Sequence, residues 1–156
     1  MSRSPSRREF LVSAASLAVG SALAVTVRPA RATPAAMQDA IRQVVGSARV
    51  TQGRVTIDLP PLVENGNAVP LTVSVESPMT EADHVKAIHV YTEKNPQPNV
   101  VDIRLGPRAG RASVMTRIRL ADTQTVVAVC ELHDGSFWSA SMSVVVTIAA
   151  CAEELQ

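Results

Sequence analysis

Beyond residue 50 the chain alternates hydrophobic and polar positions with period two. Val55, Ile57 and Leu59 alternate with polar neighbours until Pro60-Pro61 halts the run. Val69, Leu71, Val73 and Val75 alternate with Pro70, Thr72, Ser74 and Glu76. Such alternation turns one face of a strand to a core and the other to solvent, and Pro70 marks an edge position. The stretch 85–91 is apolar on both faces, which predicts that its second face is also covered, against a partner subunit. Val101, Ile103 and Leu105 make a fourth strand; Val114, Thr116, Ile118 and Leu120 make a fifth, with Arg117 and Arg119 facing outward. Residues 125–132 and 138–148 make the sixth and seventh. Turn signals stand between them at Glu64-Asn65-Gly66-Asn67, Ser77-Pro78, Asn95-Pro96-Gln97-Pro98-Asn99, Gly106-Pro107 and Asp134-Gly135. About seven short strands so punctuated predict an all-β fold, an immunoglobulin-like antiparallel β-sandwich. Helices and strands do not alternate, which excludes a doubly wound sheet.

Helical spacing occurs within residues 34–49, where Ala36, Met37, Ala40, Ile41, Val44 and Val45 form one apolar stripe. Thr33 is placed to cap this helix, Pro34 to fill its first turn and Gly46 to end it. The stripe predicts packing on the domain itself or on a partner.

In the last strand Trp138, Ala140, Met142, Val144, Val146 and Ile148 share one face, and Ser139, Ser141, Ser143, Val145 and Thr147 the other. Taken as a two-residue turn, Asp134-Gly135 sets Cys130 opposite Ser139. Cys130 shares a face with Val126, Ala128 and Leu132, and reads as a small buried hydrophobe. The second cysteine, Cys151, follows the last strand and has five residues after it. A thiol placed there is accessible, which makes it the candidate nucleophile; a stray surface thiol or half of a disulfide is the plainer alternative. Along an extended strand it stands roughly 40 Å beyond position 139. A disulfide needs Cα atoms within about 7 Å, so no bridge to Cys130 is expected unless the tail folds back.

The N-terminus changes the setting. Ser6-Arg7-Arg8-Glu9-Phe10-Leu11-Val12 is a twin-arginine signal; an alanine-rich apolar stretch and the small residues of Ala30-Arg31-Ala32 follow it. The expected organisation is a removed signal at 1–32, the helix at 33–50, the sandwich at 51–148 and a cysteine arm at 149–156. The expected destination is the periplasm, with no membrane contact after processing. Removing residues 1–32, with five arginines and one glutamate, leaves ten basic and thirteen acidic residues, a net charge of −3. That balance offers no basic stripe for nucleic acid. His84, His89 and His133 are the histidines, and no cysteine or carboxylate completes a metal site with them. There is no glycine-rich phosphate loop, and no acid-base constellation accompanies the thiol, so neither a cofactor nor an enzyme is predicted.

Several segments together resemble a known family, and they spread over residues 55–151. They are Glu64-Asn65-Gly66-Asn67-Ala68-Val69-Pro70, Ser77-Pro78-Met79-Thr80, Val85-Lys86-Ala87-Ile88-His89-Val90, Asn95-Pro96-Gln97-Pro98, Thr116-Arg117-Ile118-Arg119-Leu120-Ala121, and Val146-Thr147-Ile148 leading to Cys151. The chain resembles SoxY, the sulfur-carrier subunit of the bacterial thiosulfate-oxidising system. The resemblance implies a covalent carrier paired in a heterodimer with a SoxZ-like subunit. It implies Cys151 as the substrate-attachment site, on an arm that includes Ala149, Ala150 and Ala152. It also implies three client enzymes: a haem enzyme that joins thiosulfate to the thiol, a manganese hydrolase that removes sulfate, and a molybdenum-haem enzyme that oxidises the sulfane sulfur. A thiol suits this work because it forms and releases sulfur–sulfur links.

The arm departs from the family's usual Gly-Gly-Cys-Gly-Gly. Ala149 and Ala150 replace the leading glycines, Ala152 replaces a trailing one, and Glu153-Glu154-Leu155-Gln156 extends the tail. Alanine keeps the arm thin but stiffens it. The added carboxylates oppose thiolate formation and repel an anionic substrate, both through screened Coulomb interactions. The alternative reading is a periplasmic sandwich that binds a partner without carrying anything, with Cys151 structural or forming an intermolecular disulfide.

Overall fold

Thr33 opens the first element. In the computed structural model, which describes residues 32–148, helix α1 spans Pro34–Val45. The signal at 1–32 lies outside the described residues save for Ala32, and of the arm at 149–156 none is described. The Thr33 hydroxyl accepts a hydrogen bond from the Ala36 amide at 3.1 Å, satisfying one of the free donors of the first turn. Gly46, at φ 61°, ends the helix and donates its N–H to the Arg42 carbonyl. Met37, Ile41 and Val45 are buried and pack on Tyr91, Val129 and Phe137.

Nine strands follow: β1 Val50–Gln52, β2 Val55–Asp58, β3 Leu62–Asn65, β4 Val69–Val75, β5 Val85–Thr92, β6 Asn99–Arg104, β7 Ser113–Ile118, β8 Gln124–Leu132 and β9 Phe137–Ile148. The larger sheet runs β1-β9-β8-β5-β6, with β3 also on β9; the smaller runs β2-β4-β7. Val69, Leu71, Val73, Val85, Ile88 and Leu120 are among the side chains closed between the sheets. Each large apolar side chain removed from water there contributes about 1.5–3 kcal/mol. Truncating Leu120 to alanine should therefore cost about 2–5 kcal/mol.

The second apolar face of β5 is covered by this chain's own helix. Tyr91 on β5 and Val129 on the adjacent β8 pack against Met37, Ile41 and Val45 of α1. The two-faced pattern of 85–91 therefore does not by itself call for a partner, because a sheet can receive a helix on one face and a sheet on the other.

The sandwich is as the alternation predicts, with two strands more. β1 and β3 are three and four residues long and run parallel to β9, whereas the other pairings are antiparallel. Runs so short do not display a period, and the chain changes sheets around them. Gly53, at φ 120°, and Arg54, at φ 55°, turn it from β1 in the larger sheet to β2 in the smaller. Pro60-Pro61 then returns it to β9 as β3.

The hairpin register differs by one residue from the expected one. Cys130 stands opposite Trp138, not Ser139. The cause is the loop: the Leu132 amide bonds the Ser136 carbonyl, which leaves His133, Asp134 and Gly135 as a three-residue connection. Gly135 takes φ 80°, the left-handed residue that such a loop requires, and the Asp134 carboxylate accepts from the Ser136 amide and hydroxyl.

Candidate functional site

The residue on which the functional reading turns, Cys151, lies outside the described residues, as do Ala149, Ala150 and Ala152. What the structure gives is the platform from which they depart. The last ladder pair between β8 and β9 is Gln124–Val144, so Val145 to Ile148 run on beyond β8. They are held by other means. On one side β3 pairs in parallel with them, Leu62 beside Val145 and Asn65 beside Ile148. The Ile148 carbonyl accepts from the Gly66 amide at 2.9 Å, and the Gly66 carbonyl accepts from Leu120 at 2.9 Å. The Thr147 hydroxyl donates to the Glu64 carbonyl at 3.1 Å. On the other side the Thr123 hydroxyl replaces the missing strand, accepting from the Val146 amide at 3.0 Å. The Glu64-Asn65-Gly66-Asn67 segment, legible in the sequence only as a turn, is therefore also the clamp on the end of β9.

Thr123 is itself placed by a buried polar knot. Asn95 is buried; its amide nitrogen donates to the Arg119 carbonyl at 2.8 Å, and its oxygen accepts from the Ala121 amide at 2.9 Å and from the Gln124 side chain at 3.0 Å. Gln124, also buried, accepts from the Lys94 amide at 2.8 Å. Two loops, 93–98 and 119–124, are thus tied together beside the end of β9. The sequence marked the first loop by its prolines but gave no sign that Asn95 would be enclosed. An asparagine just before a proline is ordinary loop chemistry, and only the fold brings its partners to it.

Cys130 is the described thiol, free and fully buried. Burial pushes it up to about 11 from an ordinary 9.0, with the backbone around Trp138 and the Arg54 charge offsetting part of the rise. At neutral pH it is a thiol with no access to solvent, and a poor nucleophile on both counts. It lies where the alternation put it, on the face of Val126, Ala128 and Leu132.

The histidines are engaged locally. His89 pairs with Asp102, which also accepts from Asn99 at 2.6 Å. His84 bonds the Thr80 carbonyl at 3.1 Å and lies against His133, ring centres 5.0 Å apart and planes tilted by 45°. Among the described residues no group of three or more histidine, cysteine, aspartate or glutamate side chains is placed to hold a metal ion. Nor, among them, is any helix long and apolar enough to cross a membrane.

Three comparisons bear on this platform. Residues 41–151 match the family model described as sulfur oxidation protein SoxY, so the match includes Cys151 as its last residue. The structure is similar to that of the sulfur carrier protein SoxY from Chlorobium limicola f thiosulfatophilum, with a TM-score of 0.62 and 30% sequence identity over 73% of this chain and 98% of that one. It also shares its fold with a superoxide reductase (neelaredoxin) from Ignicoccus hospitalis, TM-score 0.54 and 18% identity over 60% of this chain and 80% of that one. A putative superoxide reductase from Thermotoga maritima gives 0.53 and 19%, over 64% and 93%. At such identities these two show the sandwich alone. Among curated protein sequences none matches.

Proposed function

The chain belongs to the SoxY family of sulfur oxidation proteins, and from that membership we propose that it carries thiosulfate-derived intermediates covalently on Cys151 in the periplasm. The observation that supports this most is the combination at the end of β9. The family match runs to Cys151, and the strand that leads there is fastened as far as Ile148. Cys130 does not compete for the role, since it is buried and its thiol is pushed up to about 11.

The chemistry follows from the thiol. Joining thiosulfate to Cys151 forms a sulfur–sulfur bond; the thiol loses its proton and two electrons pass to the haem enzyme that makes the link. The product is a cysteine S-thiosulfonate. Water then attacks the sulfonate sulfur in a hydrolase, sulfate leaves, and a persulfide remains on the cysteine. The carrier is the substrate of each enzyme in turn. The SoxZ-like subunit is the proposed constitutive partner, and the twin-arginine signal the proposed route of export.

Intact mass of the mature protein, purified from a thiosulfate-grown host, tests the reading. We expect a thiosulfonate or persulfide adduct that is lost in Cys151→Ser and kept in Cys130→Ala. An adduct that persists in Cys151→Ser would overturn it. A disulfide-linked species with no adduct would assign Cys151 to structure instead.

A further inference from the structure

Four large apolar side chains are prominently exposed among the described residues, and three of them flank the last four residues of β9: Leu62 at 59% and Val145 at 50% on one face, and Ile148 at 64% on the other. Leu62 and Val145 are direct partners in the parallel ladder, and Ile148 is the last residue of the same strand. The fourth, Met115, lies in β7 of the other sheet.

Cys151 is three residues beyond Ile148. Fully extended, three residues reach about 10 Å. The clamps described above fix where that reach begins, because the Ile148 carbonyl is held by Gly66 and the Val146 amide by Thr123. An enzyme whose reacting group sits at the bottom of an entrance must then bring the lip of that entrance against the end of β9. Standing further off, it would not meet the thiol. An entrance that takes in the strand end meets Ile148 on one face of β9 and, three residues back on the other face, the Leu62–Val145 pair.

We infer that this apolar rim is the docking surface for the enzyme that joins thiosulfate to Cys151. The inference rests on the carrier reading. The occupant it specifies is an apolar collar around an entrance wide enough for one extended chain. The contact is small, which suits a carrier that must leave after each turnover. It also accounts for leucine and valine at outward positions of a ladder whose other outward residues on β9 include Ser139, Ser141 and Ser143.

The experiment uses the mature protein in complex with its partner subunit as the varied substrate of the thiosulfate-joining enzyme. Leu62→Ser with Val145→Thr should raise KM for the carrier about tenfold and leave kcat at saturation within about twofold. Val145→Thr alone, nearly isosteric and outward-facing, should raise KM about threefold. Alkylation of Cys151 by iodoacetamide should keep its wild-type rate, and Met115→Ser should change none of these values. An unchanged KM in both variants would overturn the inference. Loss of the partner subunit on size exclusion would overturn it too, by giving the rim to the subunit interface, and loss of self-association would give it to a second copy. A wild-type complex that accepts no sulfur group from the enzyme would sink the carrier reading and this inference together, before any variant is compared.

Discussion

Replacing Asn95 by alanine tests whether the loops beside β9 are held by one side chain. The deletion removes three hydrogen bonds, to the Arg119 carbonyl, the Ala121 amide and the Gln124 side chain. The amide orientation is fixed by chemistry. The Ala121 N–H only donates, so oxygen must face it, and the Arg119 carbonyl only accepts, so nitrogen must face that. Each lost bond costs about 1 kcal/mol when water reaches the abandoned group and up to about 3 kcal/mol when it does not. Asn95 is 7% exposed, so some water enters the space that alanine leaves. The sum expected is about 3 kcal/mol, a fall in melting temperature on the order of 10 °C for a domain of this size. Urea unfolding followed by Trp138 fluorescence measures it, with exposed Gln97→Ala as a control that should stay within about 0.5 kcal/mol. Asn95→Asp makes the test chemical. Its carboxylate keeps both accepted bonds but faces the Arg119 carbonyl, so the protonated acid, which donates again, fits better. Its deficit relative to wild type should narrow as pH falls. A loss below about 1 kcal/mol for Asn95→Ala, with the denaturant slope unchanged, would refute the account of the knot.

Three further outcomes are expected. Burial holds the proton on Cys130 up to about 11 and, with the Asp102 charge as a lesser cause, on Tyr91 up to about 12, against ordinary values of 9.0 and 10.0. The unfolded chain therefore releases each proton first. The stability these groups contribute is complete below their ordinary values and is lost as pH rises through the shifted ones, by about 1.4 kcal/mol per pH unit per group. Cys130→Ala should flatten the decline between pH 9 and 11 and Tyr91→Phe the one between pH 10 and 12, read by urea titration at each pH. Gly135→Ala forces a β-carbon onto a residue at φ 80° and should cost about 1–2 kcal/mol in thermal unfolding, without altering the carrier chemistry. Replacing Glu153 and Glu154 by glutamine should speed alkylation of Cys151 at low salt, with the difference shrinking as salt rises; equal rates at low salt would remove the electrostatic role of the tail.

The sandwich was legible because its core strands are long enough to show their period. β4 alternates buried and less buried positions through Val69, Leu71, Val73 and Val75, as its sequence does. The helix was legible through Thr33, Pro34 and Gly46, each a cap signal with a local mechanism. What escaped is what depends on distant partners. β1 and β3 take their hydrogen bonds from β9, about eighty residues away along the chain, and nothing within three or four residues announces that. The hairpin was found but misregistered, since Asp-Gly serves both two-residue loops and the longer loop in which glycine alone takes the left-handed position. Cys130 was placed in the core by pattern alone. The Thr123 and Asn95 contacts were invisible because small polar residues in loops look alike until a fold encloses some of them.

The fastening of β9 and the composition of the following residues bear on each other. A carrier thiol must be presented to more than one active site, and it can gain the necessary freedom from a loose scaffold or from the tether. Here the scaffold contributes little. β9 is bonded on both edges as far as Val146, and Ile148 still has Gly66 on its carbonyl. On the carrier reading the tether to Cys151 is Ala149 and Ala150, a residue type with less backbone freedom than glycine. Less freedom also means less entropy lost when the thiol is held in one geometry. A stiffer, short tether on a fixed base therefore shifts the work of alignment from the active site to the surface that meets the base. That surface has Leu62, Val145 and Ile148 exposed on it.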